Sequence, residues 1–207
     1  MEKFFDSENP LMRFLSRLVD LAVLNVLTVC TSFLIITAGG ALTAMNNVLL
    51  HLVRRDETYV TRMFWTSFKK NFVQGIPEGL LVLATALITF VDIWALHGSD
   101  SKAATLMMIM ITVIAMFLAA TFVYMFALQS RYENTVRGTI ANAFRLAVGN
   151  LPRTAGMIGI WLIWVLILVY LNKAAPAFFM IYGLTLPGYL CAMLYNGVFN
   201  NLETEGE

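Results

Sequence analysis

The stretch TAGGALTAMNNVLLHLVRR, which occupies residues 37–55, decides the fold of this chain. Its apolar part, residues 41–53, covers about 20 Å as a helix. The hydrocarbon core of a bilayer is about 30 Å thick, and crossing it takes roughly 20 apolar residues. Whether this short segment crosses a membrane therefore decides between an even and an odd number of passes.

Composition indicates that lipid surrounds most of the chain. Of its 207 residues, 59% are hydrophobic and only 13% are charged, and the mean hydropathy is +0.73. Soluble domains carry about 25% charged residues. The net charge of +1 argues against nucleic acid as a partner, because nucleic-acid binding needs a concentrated basic face. Five further apolar stretches are long enough, or nearly so, to cross a bilayer: residues 18–37, 76–96, 103–128, 155–171 and 176–199.

The distribution of basic residues favours six crossings, with residues 41–53 as a short second span. In that arrangement twelve of the fourteen Lys and Arg residues lie on one side, whereas five crossings leave only nine together. Short loops rich in Lys and Arg stay in the cytoplasm, so both termini are predicted to be cytoplasmic. Ala38-Gly39-Gly40 is predicted to form a tight outer turn, and local thinning of the bilayer would accommodate the short helix. A re-entrant loop remains the alternative.

Residues 58–74, between the second and third spans, are predicted to form an amphipathic helix in the membrane plane. Trp65, Phe68 and Phe72 share one face of this helix, and Arg62 points away from it. Aromatic residues on one face and basic residues on the other are typical of a helix at the membrane surface. These four residues are also the candidate surface for docking a partner.

The remaining segments complete an all-α, polytopic transmembrane helix bundle. Residues 134–151 show a weaker amphipathic pattern on the predicted cytoplasmic side, and residues 1–17 are a candidate N-terminal interfacial segment. An acidic tail occupies residues 200–207. We expect one transmembrane domain over residues 1–207, with six spans and two or three in-plane helices.

Polar side chains recur inside the predicted spans, where each must find a partner or face water. In the short second span, Thr43, Asn47 and His51 lie four residues apart and so share one helix face. That face is predicted either to hydrogen-bond within the bundle or to contact a ligand. A kink at Pro187-Gly188 in the sixth span would help to open a cavity. The candidate polar cavity takes residues from four spans: Asn25, Thr43, Asn47, His51, Glu78, Thr85, Asp92 and Asn196.

No catalytic signature stands out in the sequence. There is no Walker A loop, no HExxH, no GxSxG and no CxxC motif. The chain has two histidines, and a catalytic zinc normally takes three protein ligands. We therefore expect no enzyme activity, no metal and no cofactor.

Residues 17–75 resemble the YesL-like membrane proteins, a bacterial family of unassigned biochemical function. The resemblance depends on Asn25, on TAGGALTA at residues 37–44 and on FWTSFKKNF at residues 64–72. It implies an association with carbohydrate uptake, often beside binding-protein-dependent sugar permeases. The chain would then be a transporter-like or accessory component of the cell membrane, with a sugar ABC transporter or another membrane protein as its partner.

A second interpretation remains open, in which the chain is a non-catalytic structural or regulatory module that docks on other membrane proteins. The two interpretations differ in what the polar residues do. A polar-lined space open to one side would favour transport or ligand binding, and polar groups that close on one another would favour the structural role. The sequence does not select an oligomeric state.

Overall fold

The computed structural model describes residues 10–56, 59–99 and 101–205, and every regular element in those ranges is helical. Two short 3-10 turns, Ile35–Thr37 and Asn172–Ala174, join longer helices. The longer helices are α1 (Pro10–Ser32), α2 (Ala38–Arg54), α3 (Val60–Leu96), α4 (Lys102–Arg131), α5 (Val136–Gly149), α6 (Leu151–Leu171), α7 (Ala175–Tyr182) and α8 (Thr185–Glu205).

Four stretches in the described ranges are long and apolar enough to cross a bilayer: Leu11–Ser32, Val60–Leu96, Lys102–Arg131 and Leu151–Tyr182. They contain most of the first, third, fourth and fifth predicted spans, and they make the chain a helical membrane protein. The second predicted span lies in α2, which has 17 residues. The sixth is divided between α7 and α8. Length and composition therefore support four of the six predicted crossings.

The short helix α2 lies in the interior of the bundle. Most of its residues are buried, and it contacts α1, α3, α4 and α8. Its first turn approaches α3 backbone to backbone. A Cβ added at Gly79 would lie 2.8 Å from the amide nitrogen of Gly39, and one added at Gly75 would lie 2.7 Å from the Cα of Gly40. Only glycine permits this approach, as in the small-xxx-small packing of membrane helices.

The predicted tight turn at Ala38-Gly39-Gly40 is wrong. These residues form the first turn of α2, and the 3-10 turn Ile35–Thr37 reverses the chain instead. Among the described glycines none has a positive φ, so Gly39 and Gly40 are needed for close packing and not for a turn. Because α2 begins at Ala38, it covers about 26 Å and comes closer to the thickness of a bilayer than residues 41–53 alone.

From Val60 onward, the predicted in-plane helix at residues 58–74 and the predicted third span form one continuous helix, and residue 58 lies outside the described residues. This helix, α3, has 37 residues and is about 55 Å long, well beyond the thickness of a hydrocarbon core. Pro77 lies within it. A proline in a helix interior removes one backbone hydrogen bond. The close contact of Gly75 and Gly79 with α2 holds the helix on both sides of that position.

Residues 134–151 contain α5 as a separate helix. The Thr135 hydroxyl accepts a hydrogen bond from the amide nitrogen of Gly138 at 3.2 Å and caps the first turn. The helix packs along α4, with the ring centroids of Phe117 and Phe144 6.0 Å apart. The buried face of α5 consists of small residues: Thr139, Ala143 and Ala147.

The two ends of the chain are described in part. The predicted interfacial segment at residues 1–17 is described from residue 10 onward, where it already belongs to α1. The predicted acidic tail at residues 200–207 is described to residue 205, where α8 ends. Residues 1–9 and 206–207 lie outside the described residues.

The predicted kink at Pro187-Gly188 is displaced toward the N-terminus. The helix is broken at residues 183–184, between α7 and α8. Pro187 lies in the first turn of α8, where a missing amide hydrogen leaves no intrahelical hydrogen bond unmade.

Side chains from other helices satisfy the backbone at this break. The Asn25 side-chain oxygen accepts from the amide nitrogens of Leu184 at 2.8 Å and Thr185 at 3.1 Å. The Trp164 indole donates to the carbonyl of Gly183 at 2.9 Å. The break is therefore held by α1 and α6, which pair backbone groups that the interrupted helix leaves free.

Polar contacts bring several helix ends together. Arg17 of α1 donates to the carbonyl of Leu52 in the last turn of α2. Arg54, also in that turn, donates to the side-chain oxygens of Asn196 at 2.8 Å and Asn200 at 2.9 Å. The N-terminal part of α1 and the C-terminal parts of α2 and α8 therefore meet at one end of the bundle, which we term the basic end.

Candidate functional site

Three polar side chains from α2, α3 and α4 form a buried cluster of Thr43, Glu78 and Gln129. Thr43 and Glu78 are fully buried, and Gln129 is 4% exposed. The Gln129 amide nitrogen donates to the Thr43 hydroxyl at 3.0 Å and to the Glu78 carboxylate. The Thr43 hydroxyl in turn donates to the carbonyl of Gly39 at 2.9 Å. Gln129 thus connects Thr43 and Glu78, which are two of the eight predicted cavity residues.

Glu78 lies in surroundings that compensate a charge only partly. Within the described ranges, none of the ion pairs includes Glu78. Removing a carboxylate from water without a cationic partner costs several kcal/mol, and one neutral amide donor offsets part of that cost. A buried acidic side chain of this kind in a membrane protein usually serves a purpose beyond packing.

A cavity of about 410 Å³, which we term the Asn47 cleft, opens beside this cluster. Ligand pockets usually have volumes of roughly 300–1,000 Å³. Asn47 of α2 and Ser130 of α4 line two sides of the cleft, and one face of α3 lines the third, with Arg62, Lys70 and Asn71. Of the eight predicted cavity residues, Asn47 lines this cleft.

A second cavity, of about 630 Å³, lies between α3, the end of α4 and residues 132–135, and we term it the Gln129 cleft. It shares Lys70, Asn71 and Ser130 with the Asn47 cleft. At its edge the Lys70 ammonium lies 2.9 Å from the Glu133 carboxylate. The hydrogen bond from Lys70 and its positive charge hold the pKa of Glu133 below its usual range. Gln129 lines this cleft and also reaches Glu78, so it links the opening to the buried cluster.

Three other predicted cavity residues are engaged elsewhere. Asn25 is fully buried, and its amide nitrogen donates to two carbonyls of α7, each at 2.9 Å. Asn196 accepts from Arg54 at the basic end. The His51 ring nitrogen Nδ1 lies 2.8 Å from the carboxylate of Asp56, and both side chains are partly exposed. These residues tie helices or loops together.

The last two predicted cavity residues lie farther along α3. The Thr85 hydroxyl donates to the carbonyl of Leu81 in its own helix at 2.9 Å. Asp92 is half-buried near the C-terminal end of α3, about 21 Å from Glu78 along the helix axis. Neither lines the Asn47 cleft or the Gln129 cleft.

Some of the candidate docking residues lie against α2, and others point away from it. Trp65 is 40% exposed. Phe68 and Phe72 are half-buried beside Gly40 of α2, with their ring centroids 5.6 Å apart. Arg62 is exposed and lines the Asn47 cleft. Most of the aromatic face therefore covers α2, and Trp65 is its outward member.

Two features of the site were missed by the sequence reasoning. Gln129 lies one residue beyond the predicted fourth span, 103–128, and was not assessed as a bundle residue. Gly75 lies in the gap between the predicted segments 58–74 and 76–96, so its spacing with Gly79 was not recognised. That spacing is a known signal of close helix packing and would have indicated the contact with α2.

The site's chemistry is hydrogen bonding and charge. No group of three or more His, Cys, Asp or Glu side chains converges within residues 10–56, 59–99 and 101–205. The side-chain donors and acceptors that line the clefts are amides, hydroxyls, one ammonium, two guanidinium groups and the Glu133 carboxylate. These groups bind polar or anionic molecules.

A family model described as "Protein of unknown function, DUF624" matches residues 21–93. The match begins in α1, includes all of α2 and runs nearly to the end of α3, so it contains Asn25, the paired glycines and Glu78. It overlaps the stretch on which the YesL-like resemblance depends. Comparisons with curated proteins and with solved structures gave no match to the chain.

Proposed function

We propose that this protein is an accessory component of carbohydrate uptake in the cell membrane, and that it acts by binding and not by conducting a solute. The observation that carries the proposal is the hydrogen bonding of the intramembrane polar residues. Asn25, Thr43 and Glu78 are bonded within the bundle. A solute path needs polar groups that face a continuous space, and these three face one another or a neighbouring helix.

The proposal includes six crossings with both termini in the cytoplasm. The contacts of Arg17 and Asn200 with the last turn of α2 support it, because they bring α1 and α8 to the same end of the bundle. The 17 residues of α2 cover about 26 Å, and modest thinning of the bilayer accommodates the difference. The basic residues at this end would then face the cytoplasm.

Gene deletion tests the link to carbohydrate uptake. We expect a deletion strain to take up at least one labelled oligosaccharide more slowly, and plasmid-borne wild-type protein to restore the rate. Purified protein alone in proteoliposomes should not transport that oligosaccharide. Unchanged uptake across a broad sugar panel would refute the link to carbohydrates, and transport by the protein alone would refute the accessory role.

The second candidate is a docking module with no tie to carbohydrates, and the exposure of Trp65 favours it. In this case the protein would hold a membrane partner through α3. Affinity purification from mild detergent should then recover a partner with wild-type protein but not with Trp65→Ala. Trp94→Ala is the matched control, since Trp94 is 73% exposed at the other end of the same helix.

A further inference from the structure

We propose that the Asn47 cleft binds a phosphate group carried by a hydroxyl-bearing molecule. The inference does not depend on a role in carbohydrate uptake. The same chemistry occurs in a phosphatidylglycerol headgroup and in a soluble sugar or glycerol phosphate. The cleft volume of about 410 Å³ is within the range of small-molecule sites.

Two cations line one wall of the cleft. Arg62 and Lys70 are two helical turns apart on α3, and Thr66 lies between them on the same face. Arg62 forms no ion pair with any described residue. Guanidinium groups bind phosphate through paired hydrogen bonds, and ammonium groups bind it as point charges. This wall therefore attracts a phosphate.

The rest of the lining supplies groups that suit hydroxyls. Asn47 is half-buried and has no hydrogen-bond partner among the described residues. Asn71 is 8% exposed, and its amide nitrogen donates to the carbonyl of Ser67 at 2.9 Å, which leaves its side-chain oxygen as an acceptor. Ser130 completes the lining from α4. Amides and hydroxyls accept from and donate to the hydroxyls of a polyol.

Glu133 competes with the ligand for Lys70. The Lys70 ammonium lies 2.9 Å from the Glu133 carboxylate, and both side chains are largely exposed. An exposed ion pair is weak and easily exchanged for another anion. Lys70 lines both clefts and is free to move from Glu133 to a bound phosphate. Loss of the Glu133 charge should therefore strengthen ligand binding.

Two binding measurements on the full-length protein distinguish the ligand sources. Calorimetric titration of protein in phosphatidylcholine nanodiscs with sn-glycerol 3-phosphate tests the soluble source. Native mass spectrometry of protein from micelles with equal amounts of phosphatidylglycerol and phosphatidylcholine tests the lipid source. The variants are Arg62→Gln, Glu133→Gln and the matched control Lys69→Gln, which removes an exposed charge of α3 that lines neither cleft.

We expect the wild-type protein to bind in at least one of the two measurements. In that measurement Arg62→Gln should bind about tenfold more weakly, because a charge-assisted hydrogen bond is lost. Glu133→Gln should bind about threefold more tightly, and Lys69→Gln should change binding by less than about twofold. Absence of binding in both measurements overturns the proposal. Equal weakening by Arg62→Gln and Lys69→Gln overturns it as well, since that result indicates general attraction to a basic surface.

Discussion

Asn25 of α1 caps α8 from across the bundle, because its side-chain oxygen accepts from the amide nitrogen of Thr185 at 3.1 Å. Ordinarily a helix is capped by a residue of its own chain segment. Here the capping residue lies 160 positions earlier in the sequence. The arrangement allows the interruption between α7 and α8 to persist in an apolar interior.

Substitution of Asn25 by alanine should destabilise the bundle strongly. The change leaves amide nitrogens of α8 and carbonyls of α7 unpaired, and each buried unpaired group costs about 1–3 kcal/mol. We expect Asn25→Ala to lower the free energy of unfolding by about 3 kcal/mol. Thermal unfolding in detergent measures the change. Asn47→Ala is the matched control and should shift stability by less than about 1 kcal/mol; equal effects of the two variants would contradict the capping role.

Substitutions at Gly75 should separate α2 from α3. An added Cβ meets the backbone of Gly39 and Gly40, which cannot move aside as a side chain would. We expect Gly75→Ala to cost about 2 kcal/mol or more, since overpacking in a close contact is destabilising. Gly159→Ala in α6 is the control, because nothing lies within 4 Å of its added Cβ. A control variant less stable than Gly75→Ala would show that the glycine contact does not matter.

Replacement of Glu78 tests whether its charge has a role. Glu78→Gln removes the cost of a buried carboxylate and keeps an acceptor for Gln129. We expect Glu78→Gln to be as stable as the wild type or more so. By contrast, Glu78→Ala should lose about 3 kcal/mol, because it leaves a cavity and an unpaired amide. Thermal unfolding of both variants at one pH compares them, and equal losses would mean that the bundle depends on the carboxylate itself.

Labelling of introduced cysteines decides whether α2 crosses the membrane. Cys30 and Cys191 are first replaced by alanine, since both are free thiols. With six crossings, Phe33→Cys should react with an impermeant reagent in intact cells, and Asp56→Cys only after permeabilisation. Ser99→Cys serves as the positive control on the outer side. The same accessibility at Phe33 and Asp56 in intact cells would exclude a crossing by α2.

The sequence was sufficient for the helical class and for most long helices, because long apolar runs have few alternatives to a membrane helix. It was less informative where two segments join. The sequence predicts a separate amphipathic helix at residues 58–74, because Arg62 and Lys70 resemble the polar face of a surface helix. In the fold, α3 continues through Pro77 because its glycines pack on α2. That packing joins distant parts of the chain, and helical periodicity does not report it.

For the polar residues too, the sequence predicted positions on helices better than it predicted partners. Periodicity correctly placed Thr43 and Asn47 on α2, but their surroundings depend on side chains far along the chain. Thr43 meets Gln129, 86 positions away, whereas Asn47 faces a cleft. Asn25 and Asn196 were grouped with them because all are polar and lie within predicted spans. Their partners, the start of α8 and Arg54, could be recognised only once the helices were assembled.

The backbone contact between Gly39 and Gly75 also limits how the Asn47 cleft can move. Two of its walls, on α2 and α3, belong to helices whose backbones touch at these glycines, so we expect these two walls to shift together. Any widening must come from the side of Ser130, where α4 turns into the linker. Entry and release of a molecule would thus depend on the connection between α4 and α5, and a crosslink from α4 to α3 should trap whatever the cleft holds.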